Sequence, residues 1–310
     1  MAETSSSTSQ TQRRRALLIV NPASRRGARL SAVAERAIIE AGMGCDVRRT
    51  ERPGHAAELA TECGEAYDVI FTLGGDGTAM EVVGALAGRA GPPVGVLPGG
   101  TGNLLARALG IALSVPRAVQ QLVSGDVAHI DLGRLPDGRR FAIGVGVGID
   151  ATMIAETPSI WKRRIGVAAY VLVAARAVLR ADRFLVRVTA DGTTVTRNAS
   201  AVLVINFGAL LNNLITLGDG IKHDDGVLNV CIFDPENLSD AIRIMWRLLG
   251  RDFAPDPAIT YLSGREFRVE TTPPRVAQSD GEIIGMTPFS VVTEPGSGCI
   301  LVPHRQIRRQ

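Results

Sequence analysis

The sequence predicts an N-terminal doubly wound α/β domain joined to a C-terminal antiparallel β-sandwich domain, and three observations carry that prediction. Through residue 127, short apolar runs alternate with segments of helical spacing, the pattern of strand–helix units around a parallel sheet. From residue 128 apolar residues alternate at period two, punctuated by Asp-Gly pairs at 137–138, 191–192, 225–226 and 280–281. Glycine-rich breaks at 74–77 and 99–102 each follow an apolar run and open a helical segment, and strand, glycine turn, helix is the geometry of a phosphate site.

Taken in order, residues 1–14 are polar and lack an apolar core segment, so they read as a disordered tail and not as a secretion signal. The first domain, 15–127, opens with a buried strand over 16–20, a loop over 21–27 and a helix over 30–41 that Gly42 and Gly44 end. A strand over 45–49 and a helix over 56–63 follow. Val69, Ile70 and Phe71 start the strand on which the domain is organised. It breaks at Gly74-Gly75-Asp76-Gly77-Thr78 and resumes as a helix through Met80, Val83 and Leu86. A strand over 94–97 leads into the second turn, Pro98-Gly99-Gly100-Thr101-Gly102-Asn103, and then into helices over 104–109 and 115–123. In the second domain, 128–296, strands are expected over 129–135, 140–148, 184–189, 193–207, 227–233, 267–270 and 289–293, with helices near 161–179 and 238–249. A closing segment, 297–310, carries a late strand at 298–302 that returns toward the first domain.

With 310 residues the chain is long enough for two domains, and with 45% apolar but 4% aromatic residues its core is mostly aliphatic. The sequence pI of 8.9 comes from arginine, because Lys162 and Lys222 are the only lysines. A net charge of +3 is too small to argue for nucleic acid; it suits equally a weakly basic face near anionic headgroups or a scatter of solvated charge. Cys45, Cys63, Cys231 and Cys299 stand far apart with no C-x-x-C pair, which fits neither a zinc pattern nor a disulfide framework. No run reaches about 18 clean apolar residues. The nearest, 165–179, is interrupted by Arg176 and preceded by Lys162-Arg163-Arg164, so it reads as a docked helix or a surface contact with lipid.

The chemistry narrows by elimination. A Walker A loop needs G-K-[ST], and neither lysine stands in that context; the H-R-D and D-F-G signatures are missing, and no G-x-G-x-x-G opens a helix. A phosphate on the 74–78 turn would therefore be held by backbone N–H groups, Mg²⁺ and arginine. A carboxylate beside a polyphosphate repels it unless a cation lies between. Asp76 thus reads as an Mg²⁺ ligand or as a base acting on an incoming hydroxyl, against the plainer reading of a helix-capping residue. Asp280-Gly281 reads either as a hairpin turn or as part of the chemistry, and the residues alone leave both open.

Asn21-Pro22, Gly74-Gly75-Asp76-Gly77-Thr78 followed by Glu81, Pro98-Gly99-Gly100-Thr101-Gly102-Asn103, and Asp280-Gly281-Glu282 occur in that order. Together they resemble the catalytic domain of the diacylglycerol kinase family, which includes soluble bacterial lipid kinases and the sphingosine and ceramide kinases. The resemblance covers residues 15–302. It implies an ATP-binding domain of the NAD kinase/diacylglycerol kinase-like type, a β-sandwich that takes the lipid, and a cleft between them.

It also implies roles. Asn21, Pro22, Ala23, Ser24, Arg25, Thr50, Gly74, Gly75, Asp76, Gly77, Thr78, Glu81, Gly100, Thr101, Gly102 and Asn103 fall on the nucleotide side, with Thr78 and Thr101 giving hydroxyl hydrogen bonds to phosphates. Asp280 matches the catalytic base that takes the proton from the lipid hydroxyl, with Asp76 as the alternative, and Glu282 would help hold metal and nucleotide. Lys222, Asp225 and Val227 match a structural Mg²⁺ site built from the Asp225 carboxylate and the main-chain carbonyls of the other two; an Asp-Gly hairpin accounts for them equally. Gly144-x-Gly146-x-Gly148-x-Asp150 resembles a family glycine strand at the cleft, or a β-bulge ahead of a helix-capping Asp. Three positions depart from the family pattern. Met80 stands where many members carry Asn, Leu104 where many carry an Asp that joins a water-and-metal network, and Arg25 replaces a common Gly.

The implied function is ATP- and Mg²⁺-dependent transfer of the γ-phosphoryl group to the hydroxyl of diacylglycerol or a related lipid. The protein is expected to be cytoplasmic and peripheral at the inner membrane face, acting on a lipid at the membrane surface, with no nucleic-acid partner. Helices over 167–179 and 242–249 would either touch membrane or pack in the core. The alternatives are an NAD-kinase-like phosphotransferase with a soluble acceptor and a catalytically silent lipid-binding protein. Acceptor identity and homodimer formation stay open.

Overall fold

Residues 13–148, 182–210 and 215–304 are described by the structure, a computed structural model. The helix expected over 161–179, its basic leader, Asp150 and nearly all of the polar tail lie outside them. The N-terminal domain runs β1 (Arg15–Val20), α1 (Gly27–Glu40), β2 (Gly44–Arg49), α2 (His55–Cys63), β3 (Val69–Gly74), α3 (Asp76–Leu86), β4 (Val94–Pro98), α4 (Leu104–Ala108) and α5 (Val115–Val123). The strands pair in parallel in the order β2-β1-β3-β4. β1 and β3 are covered on both faces, which is why each reads as an unbroken apolar run. In α5, Val115, Ala118, Val119 and Leu122 recur at helical spacing, and they are the residues it buries.

This strand order fixes where a ligand can sit. The chain leaves β1 toward β2 on one side and comes back to β3 on the other. Right-handed crossovers then put α1 on one face of the sheet and α2 and α3 on the opposite face. The crevice beyond the carboxyl ends of β1 and β3 is the topological switch point, the place where open α/β sheets bind ligands. Asn21 and Gly74 stand there, at the ends of those two strands.

The C-terminal domain consists of β5 (Asp126–Arg134), β6 (Arg140–Phe141), β7 (Gly144–Val147), β8 (Phe184–Ala190), β9 (Thr193–Ala199), β10 (Ala201–Ile205), β11 (Ala209–Leu210), β12 (Ile215–Thr216), β13 (Leu228–Phe233), α6 (Leu238–Gly250), β14 (Ile259–Gly264), β15 (Glu266–Thr272), β16 (Val276–Ser279), β17 (Glu282–Met286) and β18 (Phe289–Val302). A six-stranded antiparallel sheet, β14-β13-β10-β7-β16-β17, faces β8, β15 and the start of β18. Val145, Val147, Val186, Val188, Val202, Val204, Val230 and Val269 fill the space between the two layers, so period-two alternation here marks one buried face per strand. The outer face of the six-stranded sheet, at Ala201, Ile205, Cys231 and Phe233, is covered by Ala241, Ile244, Met245 and Leu248 of α6.

Three expectations need correction. The stretches 289–293 and 298–302 are one strand, β18, whose start pairs with β15, whose Ile300 pairs in parallel with Val94 of β4, and whose register against β5 shifts between Glu294 and Gly298. A ten-stranded sheet therefore runs through both domains. The run 193–207 splits at Ser200 into β9 and β10, which belong to different sheets. The run 140–148 splits likewise into β6 and β7, with Ala142 and Ile143 between them. β11, β12, β14, β16 and β17 fall outside the expected strands, and β17 is an edge strand with mostly exposed side chains that shows no alternation.

Candidate active site

The loop after β1 folds on itself and onto the organising turn. Asn21 Oδ1 accepts the N–H of Ala23, the Ser24 hydroxyl donates to Asn21 O, and Asn21 Nδ2 donates to Thr78 Oγ1 at 2.9 Å. Thr50, buried beside this loop, donates its N–H to Val20 O. Pro22 and Arg25 are exposed at the rim. Asn21, Ala23, Ser24, Thr50 and Thr78, separated by up to 57 positions, are thus brought to one edge.

The two glycine turns lie against each other. Gly99 N donates to Gly74 O at 2.9 Å, and a β-carbon placed on Gly100 would stand 2.6 Å from the Gly75 Cα, so only glycine permits this approach. Asn103, in the left-handed region at φ 48°, closes the second turn: its Oδ1 accepts from Gly100 N and its Nδ2 donates to Gly100 O. Asp76 Oδ1 accepts the N–H of Leu105 at 3.0 Å. The carboxylate of the first turn thereby caps the helix of the second, so the capping reading of Asp76 holds, but for α4. Gly75, at the N-cap of α3, has no side chain to cap that helix, so the helix starts at the crevice with the positive end of its dipole. Thr101 is exposed and Gly102 lies against Asp76. The Glu81 carboxylate accepts the N–H groups of Gly54 and Ala56 and so caps α2. Glu81 thus braces α2 against α3 while it also borders the cleft.

Across the crevice, Asp280-Gly281 is a two-residue hairpin turn between β16 and β17, with φ 45° and 91°. The Asp280 side chain nevertheless turns inward. Its Oδ2 accepts Ala142 N at 3.0 Å, and its Oδ1 accepts Ile143 N at 3.1 Å and Gly144 N at 2.9 Å. Burial raises its carboxyl to about 7, the nearby charge of Asp76 adds to the rise, and the three N–H donors pull the other way. Glu282 leans onto the first turn of α3, where a β-carbon on Gly77 would overlap its Oε1. Between the two sides lies a cleft of about 310 Å³, bordered by Gly77, Met80, Leu135, Arg139, Asp280 and Ile284.

Lys222, Asp225 and Val227 are not part of this cleft. Asp225 is exposed and its Oδ1 accepts the N–H of Val227 at 3.2 Å. Their loop is held by a residue the sequence reading passed over. Asp131, 1% exposed, accepts Gly226 N and Gly296 N at 2.7 Å each. Asn206 was passed over as well. Fully buried, it donates to Asp131 O and Ala142 O, behind the segment that holds Asp280. Each stands as a lone polar residue in an apolar strand run, Ile130-Asp131-Leu132 and Ile205-Asn206-Phe207, and that was the available signal.

With the geometry in place, comparisons with known proteins assign the fold and the family. The diacylglycerol kinase catalytic domain model matches residues 15–135, and the YegS C-terminal NAD kinase beta sandwich-like domain model matches residues 143–302. A Synechocystis sp. protein is 30% identical over 77% of this chain. Proteins named diacylglycerol kinase from Staphylococcus saprophyticus and Staphylococcus aureus (strain bovine RF122 / ET3-1) are 26% and 28% identical over 80% and 89% of it. The chain spans 56% of the Synechocystis protein's length, and 82% and 88% of the staphylococcal ones. The crystal structure of a diacylglycerol kinase from Bacillus anthracis superposes with a TM-score of 0.71 at 21% identity, covering 94% of this chain and 98% of that one, a likeness of fold. The chain therefore belongs to the diacylglycerol kinase catalytic domain family, a family of lipid kinases.

Proposed function

We propose that this protein transfers the γ-phosphoryl group of magnesium ATP to the hydroxyl of a lipid held in the cleft, with Asp280 as the base. The observation that carries the reading is the meeting, at one cleft, of an α3 N-terminus without a side-chain cap and a carboxylate whose burial brings its titration to about 7.

The residues present fit a nucleotide's phosphate tail. Gly75 and Gly100 keep side chains out of the crevice, and α3 starts at it with the positive end of its dipole. They also fit a magnesium ion that arrives with those phosphates. Mg²⁺ needs only one or two protein carboxylates, and among the described residues no group of three or more His, Cys, Asp or Glu side chains is arranged as a cage. Asp76, which uses Oδ1 on Leu105, and Glu282 beside Gly77 are the carboxylates that would serve it. When bound, the ion supplies neutralisation of the charge on the transferring phosphoryl group.

Asp280 does the proton chemistry. The N–H groups of Gly144 and Ile143 hold Oδ1 at 2.9 and 3.1 Å, whereas Oδ2 has one full bond, from Ala142 at 3.0 Å, and only a long share of Ile143 at 3.5 Å. Oδ2 is thus the less committed oxygen and accepts the acceptor's proton. A base that titrates near the working pH is half ionised and matched to a neutral hydroxyl. Asn21, Pro22, Ala23, Ser24, Arg25, Thr50, Thr78, Thr101, Gly102 and Asn103 form the nucleotide's rim on this reading. Asp225, with the carbonyls of Lys222 and Val227, holds a structural cation, supported by the outward exposure of the Asp225 carboxylate.

Diacylglycerol is the first acceptor to test, because relatives of this chain carry that name. No helix among the described residues is long and apolar enough to cross a membrane. On this reading the protein meets its lipid at the membrane face where ATP is present. Incubation of the purified protein with γ-labelled ATP, Mg²⁺ and a total lipid extract tests the proposal: a labelled phospholipid supports it, and label that stays in nucleotide and water-soluble products contradicts it.

A further inference from the structure

Asp280 and the 74–78 turn belong to different domains, and something must hold them at working distance. The segment 140–144 touches both. Its backbone N–H groups at Ala142, Ile143 and Gly144 hold the Asp280 carboxylate. Two residues earlier, Arg140 reaches the other domain: Nη1 donates to Gly84 O of α3 at 3.1 Å, and Nε and Nη2 donate to Glu294 at 2.5 and 3.3 Å.

Glu294 stands where β18 passes from one domain to the other and its register against β5 shifts. Its carboxylate also takes Arg134 Nε at 2.7 Å. Just beyond, Ser297 O accepts Gly88 N at 2.8 Å, a second grip on the far end of α3. The Arg140–Glu294 pair is about three-quarters shielded, with side-chain exposures of 27% and 23%, and its fork geometry fixes direction as well as distance. A solvent-exposed pair would do neither.

We propose that Arg140, clamped by Glu294, is a positioning residue that sets the reach between the phosphate turn at the start of α3 and the Asp280 carboxylate. The inference rests on the function proposed above. Arg140 borders the cleft, but its hydrogen bonds go to Gly84 and Glu294 and to neither the 74–78 turn nor Asp280. Through α3 it places Gly77 and Thr78, and through the backbone that follows it places Asp280. An ångström of slack across such a site costs on the order of a hundredfold in rate.

The test exploits a chance of geometry. A β-carbon on Gly84 would lie 3.6 Å from Arg140 Cβ, within the ~3.5–4.5 Å that a disulfide spans. R140C removes the clamp, and oxidised G84C/R140C replaces it with a covalent link. R140C is expected to lower kcat about tenfold or more with the nucleotide KM within about twofold, the split of a misplaced site. Oxidation of G84C/R140C, confirmed by mass, is expected to restore most of that kcat, whereas R140C and G84C alone gain nothing from the same oxidation. An R140C enzyme of native kcat, or an oxidised double variant as slow as the reduced one, overturns the proposal. Hydrogen exchange reads the link without the reaction. Amides of 84–88 and 142–144 should exchange faster in R140C and slow again in the oxidised double variant, and unchanged exchange overturns it. If wild type phosphorylates no lipid, the proposed activity fails, and the exchange measurement still decides the clamp.

Discussion

Asp76 Oδ1 accepts the backbone N–H of Leu105 at 3.0 Å, so a carboxylate from the first glycine turn fastens the helix that leaves the second. One oxygen is structural and the other borders the crevice next to Gly102. Asp76→Asn keeps an acceptor for Leu105 but removes the charge, whereas Asp76→Ala removes both. Asp76→Asn should melt within about 2 °C of wild type and lose at least about tenfold in kcat. Asp76→Ala should lose in addition about 1 kcal/mol of stability, the worth of a cap. Thermal melts and lipid phosphorylation by the two variants check the division.

The charge of Asp76 is also one cause of the raised Asp280 titration, and burial is the larger. Activity should rise with pH through an ionisation at about 7, as Asp280 becomes a base. Asp76→Asn should move that ionisation downward. For stability the sign is opposite. A carboxyl raised from its usual value near 3.8 to about 7 holds its proton more tightly in the folded state, so its contribution is full below 3.8 and declines as pH climbs to about 7. The difference in unfolding free energy between wild type and Asp280→Asn, followed by denaturant melts from pH 4 to 8, should carry that slope.

Gly77 offers a separation of a different kind. Alanine there meets only the tip of the Glu282 side chain, which can swing away, and alanine in a first helical turn restricts the unfolded chain. Gly77→Ala should therefore be neutral or up to about 0.5 kcal/mol stabilising. It should still lower the phosphorylation rate, because Glu282 is displaced from the magnesium side of the cleft. A Gly77→Ala enzyme with native kcat removes Glu282 from the site.

Asp131 is the buried anchor of two loops, with Gly226 and Gly296 on its two oxygens. Asp131→Ala strands both N–H donors and should cost about 2–3 kcal/mol. Asp131→Asn, which keeps one acceptor, should cost less. Urea unfolding measures both, and equal losses would show that the carboxylate's second bond adds nothing.

Much of this architecture was legible in the sequence, for reasons that particular residues make plain. β1, β3 and β4 are apolar on both faces, and glycines that permit backbone contact, such as Gly75 and Gly100, stand out by residue type. The four Asp-Gly pairs that punctuate the expected strands mark turns, with φ of 87°, 83°, 79° and 91° at Gly138, Gly192, Gly226 and Gly281. Asp280 was open to two readings because the hairpin and the inward carboxylate use the same residue. What stayed hidden depends on partners distant in sequence. Glu81 faces α2, Asp131 serves loops 95 and 165 positions away, and Arg140 finds Glu294 at a separation of 154. The single β18 escaped notice because Pro295, Gly296 and Gly298 look like a loop, while the chain bulges there and continues.

The most direct test is single-turnover transfer of labelled phosphate from magnesium ATP to diacylglycerol micelles by wild type and by Asp280→Asn, with nucleotide binding measured on the same samples. If the phosphate tail rests on the two glycine turns and Asp280 takes the proton across the cleft, both proteins bind nucleotide alike and the variant transfers at least about a hundredfold more slowly. Transfer by Asp280→Asn at the wild-type rate, or a wild type that binds no magnesium nucleotide, would contradict the account.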